Sequence, residues 1–240
     1  MEKYLVSPRI FLPALAVLAV FLSVNTVFDS ETNKTEEMSM QEETIDLPEP
    51  RLESPVSLEE TIERRRSVRS YQDEPLNLEQ VSQLLWSAQG ITLESRGYRA
   101  APSAGATFPL EVYLVAGEVE NLPAGVYKYV PDDHTMVAKT QGDIRGELAD
   151  ACLGQESVRN APVSLVIAAD YERTASQYGD RAKRYVHMEI GHVGQNVSLQ
   201  AITMGLGSVM IGAFTDEQLK DLMPVPDNED PLYVIPVGKE

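Results

Sequence analysis

An α+β domain, with helices flanking a central sheet, is the fold class that this 240-residue sequence predicts. Three observations carry it. The run Val163–Ala169 (VSLVIAA) is apolar throughout, as a strand buried on both faces is. Leu110–Ala116 (LEVYLVA) and Gly125–Val130 (GVYKYV) read as two further strands, with Asn121-Leu122-Pro123-Ala124 supplying the turn between them. Around these runs lie segments of helical spacing that open on capping residues.

Taken in order, the chain begins with Lys3 and Arg9 ahead of an uncharged apolar stretch over 10–24 and acids from Asp29 onward. Residues 1–28 therefore read as an N-terminal membrane anchor or a cleaved signal segment, with the remainder membrane-anchored or exported and the domain outside the cytoplasm. Residues 29–55 are acidic, almost without aromatics, and read as a disordered tether. The folded domain is expected over 56–240. Ser57 and Glu60 form a capping box for a short helix. Asn77 caps a second helix that places Val81, Leu84, Leu85 and Ala88 on one face and ends at Gly90. Helices are expected at 142–153, 178–204 and 215–223, the last capped by Thr215 with Gln218 at the capping-box position, and strands at 208–214 and 232–237.

The formal net charge of −17 argues against nucleic acid as a partner, because phosphate neutralisation needs a basic surface. The single cysteine, Cys152, excludes an intrachain disulfide and sits among apolar neighbours as a small buried residue does. His187 and His192 are five apart, poor spacing for two ligands on one helix face, and no metal site is expected.

Against the acidic background, Arg64-Arg65-Arg66-Ser67-Val68-Arg69-Ser70 concentrates four arginines and two hydroxyls without an intervening acid. Such a set suits a phosphate monoester, whose oxygens guanidinium forks bind in pairs; a basic turn complementing a helix end is the other reading. Arg64 looks more like the helix-end charge than a ligand. A second segment, Pro102-Ser103-Ala104-Gly105-Ala106, has only small side chains, so its backbone can approach a flat heteroaromatic ring, or simply turn tightly into the next strand. The long helical segment carries Gly191 and Gly194 in its interior, each forgoing about 1 kcal/mol relative to alanine, which fits a close helix–helix or helix–cofactor approach.

Four motifs occur in register: Arg65-Arg66-Ser67-x-Arg69, the 102–106 segment, Glu189-x-Gly191-His192-x-x-Gln195-Asn196 and Gly205-x-Gly207-Ser208-x-x-Ile211-Gly212-Ala213-Phe214. Together, over 56–240, they resemble the FMN-dependent nitroreductase superfamily, specifically its SagB-type dehydrogenase branch. The resemblance implies a nitroreductase-like fold with a central, mostly antiparallel sheet flanked by helices, in an intertwined homodimer with FMN at the subunit interface. It implies that Arg65, Arg66, Ser67 and Arg69 hold the FMN phosphate and ribityl end. Pro102, Ser103, Ala104, Gly105 and Ala106 would line the isoalloxazine from the partner subunit, and Gly212 and Ala213 would bring a backbone amide to flavin N5. The helix around Gly191 would lie at the dimer interface.

Two departures stand out. Azoline-oxidising relatives carry Lys-Tyr where this chain has Gln177-Tyr178, and a neutral amide cannot serve as a base. The chain also ends soon after Lys239, the one basic residue there to approach the phosphate. The expected function is an FMN-dependent oxidoreductase transferring hydride through N5 with ping-pong kinetics. NAD(P)H or a membrane quinol would be the donor, and a small molecule or peptide the substrate. Tyr178 is the candidate proton donor, or else an aromatic packed on the sheet. The alternatives are a membrane-tethered FMN-binding or partner-binding module without turnover, and a peptide azoline dehydrogenase.

Overall fold

A computed structural model of the chain describes residues 43–240. In chain order the elements are β1 (Thr44–Asp46), α1 (Leu58–Arg64), α2 (Leu78–Gln89), β2 (Ile91–Leu93), β3 (Tyr98–Arg99), β4 (Leu110–Ala116), β5 (Gly125–Val130) and β6 (Thr135–Gln141). They continue as α3 (Arg145–Ala151), α4 (Glu156–Arg159), β7 (Val163–Ala169), α5 (Tyr171–Tyr178), α6 (Ala182–Thr203), β8 (Leu206–Ser208), α7 (Asp216–Leu222) and β9 (Asp230–Lys239).

Seven strands form one sheet in the order β1-β6-β5-β4-β7-β9-β8, every neighbouring pair antiparallel, while β2 and β3 make a separate ribbon. The apolar strand β7 is paired along its whole length on both sides, from Val163 opposite Ala116 and Val237 to Ala169 opposite Leu110 and Asp230. Its side chains alternate between two cores. Val163, Leu165, Ile167 and Ala169 join Val112, Leu114, the α2 face and Val186, Val193, Val197 and Ala201 of α6. Val166 and Ala168 join Tyr113, Leu148, Cys152 and Val158 with Leu219 of α7. The fold is thus α+β in three layers, with α2 and α6 on one face and α3, α4 and α7 on the other. Both Ser57 and Asn77 cap their helices, but the expected Ser57–Glu60 box is only half made, because the Glu60 carboxylate turns to Arg64. The Ser57 hydroxyl accepts the Glu60 N–H, and Asn77 and Gln80 form a reciprocal capping box at α2, whose Val81, Leu84, Leu85 and Ala88 are all fully buried.

Several expectations are corrected. The 178–204 helix is divided: α5 ends at Tyr178, Gly179 takes φ +52°, and α6 begins only at Ala182. The 142–153 helix starts later, because Gly142 turns with φ +105°. The strand expected over 208–214 stops at Ser208, leaving Ile211 as a single bridge to Val234. Thr215 precedes α7 without a side-chain cap bond. Residues 44–51 are anchored and not a free tether, since β1 pairs with β6 and Leu47 is buried, while 52–55 stay exposed. His134, 2.9 Å from the Tyr129 hydroxyl and 3.0 Å from the Pro48 carbonyl, ties this segment to the β5–β6 hairpin. Gln83 clasps Arg51 through two hydrogen bonds to its backbone. The acidity of the segment hid these anchors, which are single residues. Residues 29–42 of the expected tether lie outside the described residues.

Among the described residues no helix is long and apolar enough to cross a membrane. This corrects the expectation of a transmembrane helix or signal and of a domain placed outside the cytoplasm. The segment 1–28 that carried it lies outside the described residues, and membrane attachment is withdrawn.

A chain shortened to begin at Val56 loses the burial of Leu47 and the bonds of Pro48 and Arg51. Urea unfolding is expected to show it about 3 kcal/mol less stable than the full chain; an unchanged midpoint would restore the tether boundary.

Candidate functional site

The arginine segment leaves α1 and is laid along the edge of the sheet. The Val68 N–H donates to the Ser208 carbonyl at 3.0 Å, and the Gln72 N–H to the Lys239 carbonyl at 2.9 Å. The Tyr71 hydroxyl reaches the Val68 and Pro236 carbonyls. Close approach needs Gly207, where a Cβ would come within 2.6 Å of the Val68 side chain. Arg64 is neutralised by Glu60 at 2.8 Å, in keeping with a helix-end charge. Arg66 donates only to the carbonyls of Glu63 and Arg65, and Arg69 only to that of Ser67. Among the described residues no carboxylate pairs with Arg65, Arg66 or Arg69, although the chain holds 37 acids against 20 lysines and arginines. Ser67 is exposed beside them. The donor set is therefore open to an external dianion and fits a phosphate. Lys239 is already engaged with Glu74 at 2.7 Å.

The small-residue segment forms a strained turn. Gly105 (φ +61°), Ala106 (+53°) and Phe108 (+43°) all lie in the left-handed region, which costs roughly 1–3 kcal/mol for each non-glycine residue unless its surroundings enforce it. The surroundings do. Ser103 accepts the Ala106 N–H on its carbonyl and the Phe108 N–H on its hydroxyl, at 3.2 and 3.0 Å. Thr107 bonds Thr174. Arg173 donates to the Phe108 carbonyl at 3.0 Å while pairing with Glu111 at 2.6 Å, and the Arg99 guanidinium lies over the Phe108 ring at 4.8 Å. Pro102, Gly105 and Ala106 remain exposed.

Tyr178, at the end of α5, packs edge-on against Tyr185 with ring centroids 5.0 Å apart. Gln177 and Tyr178 converge on the turn: a Cβ at Gly105 would lie 2.4 Å from the Gln177 Oε1 and 2.6 Å from the Tyr178 hydroxyl. Beneath the turn, Glu189 of α6 is 2% exposed, with Oε1 unpartnered. Burial pushes its carboxyl up to about 7, opposed by the Ser103 hydroxyl and the Arg99 charge. Pro102, Ser103, Ala104, Tyr185, Glu189 and His192 line a cavity of about 250 Å³ there, with Met188 at its rim. Gly212 and Ala213 are exposed on the chain between β8 and α7, and no acceptor in the described chain takes their N–H groups.

The structure brings Tyr178 to the turn and Lys239 near the arginines, but it does not join the two halves. The arginines dock at Ser208, level with Val237 and Val163, whereas the turn enters β4 at Leu110, level with Ala169. Six residues of β7 separate those levels, about 20 Å along the strands. Among the described residues no three His, Cys, Asp or Glu side chains gather to hold a metal. Cys152 is buried, its thiol pushed up to about 11 by desolvation.

Sequence reasoning passed over Glu189, Arg99 and Arg173. For Glu189 a signal was present: Val186, Glu189, Val193 and Val197 follow one buried helical stripe, and an acid in such a stripe is anomalous. Arg99 and Arg173 gave none, since their partners are distant in sequence.

A three-layer α+β fold with an open arginine set and a small-residue turn is the class of structure that comparison with known proteins identifies. The chain belongs to the nitroreductase family, whose sequence pattern matches residues 62–239 and whose members are generally flavin oxidoreductases. It is 44% identical over 198 residues to "Putative nitroreductase MJ1384" of Methanocaldococcus jannaschii, covering 82% of this chain and 98% of the relative. A solved nitroreductase-type structure from Ralstonia eutropha superposes with a TM-score of 0.72 at 30% identity, covering 82% of this chain and 90% of that one. Further off are the NADPH-flavin oxidoreductase of Vibrio harveyi (30% identical, 43% of this chain, 47% of the relative) and the microcin B17-processing protein McbC of Escherichia coli (27%, 62% and 56%).

Replacing Gly105 by alanine adds a Cβ against Gln177 and Tyr178 at a positive φ. The variant is expected to lose about 2 kcal/mol of stability in thermal or urea unfolding, and the Tyr178–Tyr185 contact should open, seen as altered tyrosine fluorescence.

Proposed function

We propose that the chain is an FMN-dependent oxidoreductase of the SagB-type branch, working as a homodimer whose sites are shared between two copies. The observation that carries it is the set of unneutralised arginines in an acidic chain, at the opposite end of the sheet from the small-residue turn. When bound, FMN supplies hydride acceptance and donation at N5. Arg65, Arg66, Ser67 and Arg69 hold its phosphate and ribityl end. Pro102, Ser103, Ala104, Gly105 and Ala106 of the other copy lie against its ring, and the free amides of Gly212 and Ala213 face N5. Lys239 approaches the phosphate only by leaving Glu74.

A two-fold axis across α6 would share the site between two copies. This helix is about 33 Å long and runs from the turn to β8, so antiparallel pairing of two copies sets the arginine end of one beside the turn of the other. Arg184, Met188, Gly191, His192 and Gln195 form its exposed stripe, and a Cβ at Gly191 would meet nothing within 4 Å. Exposed Leu58 and Ile62 of α1 extend that face with apolar surface.

Tyr178 is the proposed proton donor to substrate, since its hydroxyl lies over Gly105 of the platform. The similarity to the NADPH-flavin oxidoreductase favours NAD(P)H as electron donor and a small-molecule acceptor. The similarity to McbC favours a second reading, oxidation of azolines in a peptide. Against it stands Gln177, whose side chain, beside the Tyr178 hydroxyl, offers no basic nitrogen. A flavin held without turnover is distinguished from both by whether bound FMN is bleached by NAD(P)H and reoxidised by an acceptor.

The purified chain is expected to bind FMN and sediment as a dimer. Arg66→Ala and Arg69→Ala should each weaken FMN binding about tenfold or more, measured by quenching of flavin fluorescence, with little effect on riboflavin, which lacks the phosphate. Wild-type protein that leaves added FMN unquenched would sink the reading.

A further inference from the structure

Glu189 is the most anomalous group of the described chain. It stands in the buried stripe of α6 between Val186 and Val193, 2% exposed, with no ion-pair partner, and Oε1 makes no hydrogen bond. The Nε2 of Gln89, on the facing α2, is likewise buried and faces this carboxyl without a hydrogen bond of good geometry. Leaving such groups unsatisfied costs about 1–3 kcal/mol each, so a purely structural site would favour a leucine–leucine contact.

What distinguishes the position is the segment above it. The Ser103 hydroxyl already accepts the Phe108 N–H, which leaves its own proton to donate, and Ser103 lines the same small cavity as the buried Glu189 carboxyl, whose Oε1 is without a partner. Ser103 is also where the turn closes, through its carbonyl to Ala106. Two non-glycine residues at positive φ hang on that closure, so a change in how firmly Ser103 is held passes directly into the turn.

We propose that Glu189 is a positioning residue for the 102–106 turn: through the Ser103 hydroxyl it holds the strained backbone, and loss or gain of its proton tightens or loosens that hold. The inference rests on the FMN reading only in making the turn a ring platform; the coupling of Glu189 to the turn stands without it. A carboxylate is the stronger acceptor for a hydroxyl, so the turn is held best with Glu189 ionised.

The groups that face the carboxyl are Arg99 from β3, Gln89 from α2, Ser103 from the turn, and Tyr185 and His192 of α6, which line the same cavity. Arg99 is itself surrounded by Glu111, Asp132 and Arg173, and burial lowers its pKa from the usual arginine value. His192 is the one histidine that lines this cavity.

The sign follows from the raised value. The folded state binds a proton at Glu189 up to about pH 7, whereas the unfolded chain releases it near 4.5, the ordinary glutamate value. Stability contributed by this group is thus full below the unfolded value and is lost as pH rises through about 7. The turn, in contrast, tightens over the same rise.

The test compares wild type with Glu189→Gln, Ser103→Ala and His192→Gln between pH 5 and 8. The melting temperature of wild type should fall by about 5 °C more than that of Glu189→Gln across this range. Hydrogen-exchange protection of the Phe108 amide, taken as the ratio to Glu189→Gln at each pH, should rise about fivefold in wild type and in His192→Gln. The ratio of FMN affinities should follow it, the titration of the FMN phosphate cancelling. Ser103→Ala should keep the pH dependence of melting and lose that of FMN affinity, which separates coupling through the turn from a merely buried acid. Where Glu189→Gln does not fold, Ser103→Ala, which lacks the coupling, serves as the reference in its place. A flat protection ratio, or its loss in His192→Gln, overturns the proposal. FMN binding to none of the proteins overturns the flavin reading and leaves the exchange ratio to decide the role of Glu189.

Discussion

The double pairing of β7 is the constraint on which the rest of the structure depends. A seven-residue strand with both faces apolar must be covered above and below and bonded on both edges, or its backbone groups are buried without partners. β4 and β9 supply the edges, α2 and α6 one cover, and α3, α4 and α7 the other. The register then fixes the site. Because Leu110 is level with Ala169 and Val237 with Val163, the turn before β4 and the segment docked on β8 and β9 are held at opposite ends. Their separation is a property of the sheet, and loop movement does not remove it.

That separation gives α6 its importance in the proposed dimer. The helix spans both levels, burying one stripe against the sheet while leaving another exposed. Of its two glycines only Gly194 is crowded, since a Cβ there would lie 3.0 Å from the Tyr233 ring; Gly191 lies open among the described residues. The internal glycine that the sheet requires is therefore Gly194. Among the described residues nothing crowds Gly191, so it is free for the close approach of a second copy that the proposed dimer needs.

Much of the fold was legible because its signals are local. β4, β5 and β7 have the bounds their apolar runs give, and Asn77 and Ser57 open the helices their side chains cap. What escaped depends on distant partners. β6 reads as polar (Thr135, Lys139, Thr140, Gln141) and becomes a strand by lying between β5 and β1. α6 starts late because Gly179 adopts a positive φ, which periodicity does not record. The same division applies to the candidate site. The arginines and the small residues stand out as composition, whereas Glu189, Arg99 and Arg173 matter through contacts that the chain makes only once folded.

Charge accounts for the remaining asymmetry between the two halves. Around the turn every arginine is occupied: Arg173 by Glu111 and Asp170, Arg99 by Gln89 and the Phe108 ring. These are contacts that fix a backbone, and Arg173 spans from the Glu111–Lys128–Glu229 network to the Phe108 carbonyl. At the β8 edge the arginines bond only carbonyls of their own segment. Such bonds leave the full positive charge in place, in a chain whose surplus of acids could have neutralised it. One half has its arginine charges held within the chain, as the proposed ring platform requires; the other is left electrostatically incomplete, as the proposed phosphate site, whose counter-charge arrives with a ligand, requires.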